Sequence, residues 1–425
     1  AARKNEEAYD HVYVLHHPDE ERPAARPLRT APCYDRMKAR GAQFGQVNGW
    51  ERPNYFAPEG FDDHAARSFR RGGWWEHAVR EARAIREGVG MIDATAFAKH
   101  RVKGPGAAAF LDWLTTNRLP KTGRINLTYA LTEAGTVRTE FTIVRLGEDD
   151  FYVVSAGSAQ AYDGDFLARM AEAKRAELGW IEVQDVSTQW GVFAVAGPRA
   201  RDLLRPLVVD ADPAAALSNK RFPWLSMRKI DLEMVPTMGV RVAYTGELGW
   251  ELHHPIEMQN RLFDRLMAAG EDVGLTLVGA RAQNWLRQEK SYRAFGSDLG
   301  RDASPLESGL DRFVDMTKDF RGKAAMEARG VKARCVTLLI EGPQDADPWG
   351  REALYAEGRD GPVGRLTSGG WSVAFGRSIG IGYVAPDLAA PGTRLKVKIL
   401  DALHDAEVVA ESPYDPENAR IRADG

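Results

Sequence analysis

Arg241 to Glu251 read RVAYTGELGWE, and further along the chain Gly279 to Gly296 read GARAQNWLRQEKSYRAFG. The first stretch reads as a short apolar strand, Val242 to Tyr244, broken at Thr245 and Gly246, with Glu247 and Glu251 flanking a second break at Gly249. Glycine suits such breaks, because positive φ or close backbone approach excludes most side chains. Two carboxylates are thereby expected on a tight turn. The second stretch reads as a helix carrying Arg281, Arg287, Lys290 and Arg293. Acids facing cations suit a ligand with NH donors at one end and carboxylates at the other. An acid accepts paired bonds from an amidine-like edge, while arginine grips a carboxylate with two parallel bonds. A solvated turn and helix joined by weak surface ion pairs is the competing reading of the same residues.

The chain has 425 residues, enough for two or three domains with separate cores. Its net charge is -3, with 28% charged residues spread throughout, which argues against a nucleic-acid partner. No run of about 18 apolar residues occurs, so no membrane span is expected. The start, AARKNEEAYDHVY, lacks the apolar centre of a signal peptide. Cys33 and Cys335 are the two cysteines and lie far apart, which predicts neither a disulfide framework nor a cysteine metal site. A cytoplasmic, reducing compartment fits. The pair His253 and His254 lacks the spacing of a metal site, so no metal is expected.

Residues 1 to 70 are rich in Pro, Arg and aromatics, and predict one short helix from Tyr34 to Arg40 within extended connection. Trp74 to Glu87 carry a helical stripe closed by Gly88. A strand, a Gly-Pro turn and a helix then follow at Gly104 to Leu111 and again at Gly197 to Leu204, as G-P-x-A-x-x-x-L. That repetition predicts two related halves of an α+β fold with antiparallel sheets and helices on one face. Between the repeats, three strands run from Asn126 to Ser155. In the middle one Glu140 falls on the opposite face from Val137, Thr139, Phe141 and Ile143. From Cys335 onward, short strands and frequent glycine predict a small antiparallel barrel.

YTGELGWE resembles the Y-T-G-E-x-G-x-E signature of the folate-binding aminomethyltransferase family, which includes the glycine-cleavage T protein. Four further pieces fall in the family's order: L-T-T-N at Leu114 to Asn117, E-A-G at Glu133 to Gly135, L-R-x-E-K at Leu286 to Lys290, and T-S-G at Thr367 to Gly369. The helix resembles the dimethylglycine and sarcosine dehydrogenase branch in particular. Residues 1–70 resemble the segment joining flavin and folate halves there, through P-L-R-x-x-P and G-W-E-R-P-x-Y-F.

The resemblance implies pseudo-symmetric antiparallel-sheet folate-binding domains over residues 71–330 and a C-terminal small β-barrel over 331–425. It implies tetrahydrofolate as cofactor, with Glu251 on the pteridine and Tyr244, Glu247, Tyr129 and Asn117 in stretches around it. Arg281 is expected on the tail side, because the family arginine aligns with Gln283 here. The reactive acid is expected at Glu140, where relatives place an aspartate after the same turn. It implies, too, a one-carbon acceptor for oxidative demethylation of an N-methyl amine, taking the iminium or formaldehyde product to 5,10-methylenetetrahydrofolate. No flavin half is visible in the sequence, so FAD is expected only on a missing half or a flavoprotein partner. Alternatives are a direct folate-dependent O- or S-demethylase and a non-catalytic folate-binding protein.

Overall fold

The computed structural model describes residues 2–18, 20–61 and 68–424. Residues 62–67 of the expected linking segment lie outside the described residues. The N-terminal part holds helices Ala2–Asp10 and Tyr34–Lys38, then a hairpin of β1 (Ala42–Val47) and β2 (Trp50–Phe56). Asn48 and Gly49, both at positive φ, make its two-residue turn. The hairpin is not a loose connector, because Tyr55 and Ala57 pack with Trp74, Ala78, Val79 and Trp285.

Two antiparallel sheets follow. The strands are β3 (Gly90–Asp93), β4 (Ala98–Lys103), β5 (Ile125–Leu131), β6 (Val137–Gly147), β7 (Asp150–Ser155) and β8 (Glu182–Asp185). They continue with β9 (Trp190–Ala196), β10 (Met227–Leu232), β11 (Val235–Val240), β12 (Gly249–Pro255) and β13 (Thr276–Leu277). One sheet runs β5-β6-β7-β4-β8 and the other β10-β11-β12-β9-β3, with β13 added parallel to β3 at its edge. Each is a three-strand meander returning beside the strand that opened its unit. The repeated Gly-Pro turns sit at equivalent places: Gly104 and Gly197 end β4 and β9 at φ +116° and +134°. A Cβ there would meet Trp180 O at 2.6 Å and Gly88 O at 2.3 Å, so glycine is required twice for the same reason.

Helices cover the outer face of each sheet. Phe141, Ile143, Phe151 and Val153 pack on helices Ala107–Leu114 and Gln160–Leu178, while Phe193, Leu252 and Val195 pack against helix Gln259–Gly270. Each fully buried side chain of this kind contributes about 1.5–3 kcal/mol. The inner faces meet each other, with Val144, Tyr152 and Val154 against Met238 and Val240. Side chains alternate along a strand, so Glu140, between outward Thr139 and Phe141, belongs to the inner face of its sheet. Glu251 does so on the second sheet, because Trp250 and Leu252 on either side join the outer core.

The segment Val242–Tyr244 is irregular rather than a strand: β11 ends at Val240, and the chain turns through Gly246 (φ +81°) before β12 begins at Gly249. Gly249 needs no positive φ. A Cβ there would lie 2.5 Å from Val195 O, because β12 runs close beside β9. Residues 334–409 form a closed barrel, β14 (Arg334–Ile340), β17 (Arg377–Val384), β16 (Gly364–Ser372), β15 (Ala353–Tyr355), β18 (Arg394–Ile399) and β19 (Ala402–Val409). The fold is mixed α+β with antiparallel sheets and a six-stranded C-terminal barrel. Among the described residues no helix is long and apolar enough to cross a membrane.

Candidate functional site

Glu140 and Tyr129 face each other across β5 and β6, and the Tyr129 hydroxyl donates to Glu140 Oε2 at 3.0 Å. Burial pushes the Glu140 carboxyl up to about 7. The Tyr129 hydrogen bond and the Arg287 guanidinium pull it down, and Asp298 pushes it up. Among the described residues no donor reaches its other oxygen, Oε1. Arg287 is itself held still. Its Nη1 donates to Asp298 Oδ2 at 2.5 Å, its Nη2 to Ser368 Oγ at 2.7 Å, and its Nε to Asn284 Oδ1 at 2.9 Å. Thr367 and Ser368 also donate to Asp298 Oδ1. The T-S-G piece of the barrel therefore locks the ion pair that sets the field at Glu140.

Glu251 lines a small cleft on the inner side of the second sheet, with a mostly apolar wall that includes Ile92, Phe97, Ala194 and Val242. Tyr244, Thr245 and Gln283 add polar groups to it. Thr245 Oγ1 is buried without a protein partner, an orphaned donor in the wall. The carboxylate is oriented from behind. Burial lowers the His253 pKa, so the ring is neutral, with Nε2 3.2 Å from Glu251 Oε2 and Nδ1 3.1 Å from the Tyr152 hydroxyl. Those partners assign the ring proton to Nε2, which donates to Glu251 while Tyr152 donates to Nδ1. Tyr244, whose hydroxyl donates to Arg293 O at 3.1 Å, lies near both acids. Its ring lines the Glu251 cavity, and its raised pKa, due first to burial, also feels Arg287, Glu140 and Asp298. One oriented acid, one amide and one orphaned hydroxyl on an apolar wall match the hydrogen-bonding chemistry of a flat heterocycle with NH donors on an edge, as a pterin is.

The other expected site residues lie elsewhere. Glu247 is closed off in an ion-pair cluster, accepting from Arg86 at 2.8 Å, Tyr414 at 2.7 Å and Arg420 at 2.7 Å. It does not line the cavity with Glu251. Asn117 ties down its own loop, donating to Leu127 O at 2.8 Å and accepting from Arg118 N at 2.8 Å. Arg281 stacks on Trp74 at 3.9 Å and lines a second cleft with Arg71, Trp285 and Trp349, on the far side of helix Ala280–Glu289 from Gln283. The helix ends at Glu289, so of the expected cations Lys290 caps it and Arg293 lies beyond it, and with Arg287 they form no open mouth. Arg287, Lys290 and Arg293 are buried, held by Asp298, by the carbonyls of Tyr414 and Asp415, and by Glu411.

Reading the residues alone missed Asp298, Tyr152 and the role of His253. The alternation of β12 was the available signal for His253, since Glu251 and His253 share a face in W-E-L-H. Asp298 carries no local signal, because its partners come from the helix and the barrel.

Residues 33–318 match the GCVT N-terminal domain, and residues 334–415 match the glycine cleavage T-protein C-terminal barrel domain. Residues 1–31 match the FAD dependent oxidoreductase central domain. Mitochondrial dimethylglycine dehydrogenase of Mus musculus is 34% identical over 431 residues, covering 99% of this chain and 48% of that protein. The 4-methylaminobutanoate oxidase (formaldehyde-forming) of Paenarthrobacter nicotinovorans is 31% identical, covering 99% and 50%. The chain thus spans about half the length of the curated relatives it matches. The glycine cleavage system aminomethyltransferase T from Bartonella henselae shares the fold, with a TM-score of 0.76 at 22% identity over 92% of this chain and 99% of that one. The chain belongs to the aminomethyltransferase-like family defined by the GCVT N-terminal domain and the T-protein C-terminal barrel, within which dimethylglycine and sarcosine dehydrogenases are its relatives.

Proposed function

We propose that this chain accepts the one-carbon unit of an oxidative N-methyl amine demethylation, of dimethylglycine or sarcosine type, and yields 5,10-methylenetetrahydrofolate. Tetrahydrofolate, when bound, supplies the two nitrogen nucleophiles. Glu251, steadied by His253, accepts from the NH edge of the pterin, and the Gln283 amide and Thr245 hydroxyl complete that contact. Glu140 takes the proton released at the attacking nitrogen on Oε1, while Tyr129 keeps Oε2 occupied. A carboxyl with a pKa of about 7 is suited to this, because it is a competent base near neutral pH and can return the proton to departing water. Arg287 is paired to Asp298 and acts through its field. The electrons of the preceding oxidation go to FAD on a missing half or partner subunit. Two unpaired cysteines suit a reducing compartment, cytoplasmic by this reading.

The observation that carries the reading is Tyr244, which lines the Glu251 cavity and lies within the electrostatic reach of Glu140. The test is to supply formaldehyde and tetrahydrofolate to the chain and follow 5,10-methylenetetrahydrofolate above the spontaneous rate. Acceleration by the wild type, lost in Glu140→Gln, supports the reading. Production of 5-methyltetrahydrofolate from a methyl ether or sulfonium without flavin would instead favour the direct demethylase. Folate binding with no acceleration would favour a non-catalytic binder.

A further inference from the structure

The barrel's last strand ends at Val409, and the chain after it turns back across the site segment. Its start is tied to the end of helix Ala280–Glu289: Ser412 Oγ donates to Lys290 O at 2.7 Å, and Tyr414 N to Glu289 O at 3.1 Å. Its middle reaches the Y-T-G-E turn, where Tyr414 Oη and Arg420 Nε both donate to Glu247 at 2.7 Å. Arg420 also donates to Arg86 O at 2.5 Å, and Ile421 is buried with Ala243, Leu286 and Ile85. Its end is anchored beyond the turn, where Arg201 donates to Ala423 O at 2.7 Å and Asn219 to Arg422 O at 2.7 Å. The strap thus spans the outer side of residues 241–247, the segment whose inner side presents Tyr244. Ser412 and Tyr414 fall within the barrel domain match, whereas residues 416–424, Arg420 among them, fall outside both matches.

Charge makes the contact directional. Glu247 and Glu289 share Arg86, and Arg420, more exposed than the other three, supplies the second cation, so these four charges sum to zero. Removing Arg420 leaves one uncompensated carboxylate at the turn, which must then move toward water or take up a proton. Either response weakens the ion pairs that hold the turn between Tyr244 and Glu251.

We infer that Arg420 and Tyr414 are positioning residues for the candidate site, clamping the turn through Glu247 so that Tyr244 and Glu251 keep their places in the cavity. This rests on the folate reading above in naming what the cavity holds, but the clamp itself has a readout that does not require a ligand. In Arg420→Met of the full chain, hydrogen exchange in peptides covering residues 241–251 should speed up, with the barrel strands at 364–384 unchanged. Tetrahydrofolate binding by calorimetry should weaken about tenfold, the size expected when a charge-assisted bond is lost. Because Glu247→Gln removes the charge that Arg420 compensates, the double variant Arg420→Met with Glu247→Gln should recover protection relative to Arg420→Met alone. Unchanged exchange at 241–251 overturns the clamp, and so does exchange that rises equally across the barrel. If wild type binds no tetrahydrofolate while exchange responds as stated, the clamp stands and the folate reading falls. Wild-type binding that Arg420→Met leaves unaltered overturns the positioning role.

Discussion

The Tyr129 hydroxyl and the Glu140 carboxylate meet at 3.0 Å across a register pair of β5 and β6, so the proposed base is held by its own strand neighbour. That one bond, the Arg287 to Asp298 pair behind it and burial around it together fix where Glu140 titrates.

Glu140→Gln should keep tetrahydrofolate affinity and lose one-carbon transfer by about 10²-fold or more, the usual contribution of a positioned base. Wild-type rate should rise with pH through about 7 and level off above it, because the ionised carboxylate is the active form. The pH profile of Glu140→Gln should be flat there. A profile that is still sigmoidal in the variant assigns the titration elsewhere.

Two variants should move that profile in opposite directions. Tyr129→Phe deletes a bond to the ionised form, so the midpoint shifts to higher pH. Asp298→Asn removes a negative charge that disfavours ionisation, so the midpoint shifts to lower pH. Steady-state rates across pH 5 to 9, roughly the span in which such a group titrates, check both.

Asp298→Asn should also destabilise the chain by about 3 to 5 kcal/mol, since it leaves Arg287 buried without its counter-charge. Urea unfolding measures this, and a loss under about 1 kcal/mol would show the pair to be dispensable.

Glu81 gives a stability prediction away from the site. It is buried, accepting from Phe56 N at 2.6 Å and Gly279 N at 2.8 Å, yet burial pushes its carboxyl up to about 8 from an ordinary 4.5. The folded pKa exceeds the unfolded one, so between pH 4.5 and 8 the folded state binds more protons than the unfolded chain. Stability therefore falls as pH rises through that window. Glu81→Gln should flatten the slope, as seen in melting temperature against pH.

Much of this architecture was legible in the sequence. Helix Trp74–Glu87 has its expected ends, and the Gly-Pro turns at Gly104 and Gly197 mark equivalent corners of two sheets. Glu140 could be assigned a strand face because alternation is local. The hairpin at Ala42–Phe56 was equally readable in principle, through Asn48-Gly49 between apolar runs, but its Pro- and Arg-rich surroundings suggested a connector. What stayed hidden depends on distant partners. Glu247 reads as a site acid until Arg420 and Tyr414 arrive from the end of the chain, and Lys290 as a surface cation until the carbonyls of Tyr414 and Asp415 enclose it. Arg281 and Gln283 are two residues apart, and the helix sends them to opposite sides.

The most direct measurement is calorimetric titration of the chain with tetrahydrofolate, wild type beside Glu251→Ala. Losing a charge-assisted bond inside an apolar cavity should cost about 1.5 to 3 kcal/mol, a ten- to hundredfold weaker Kd in the variant. Equal affinities in the two proteins, or no binding by the wild type, would contradict a pterin held at Glu251.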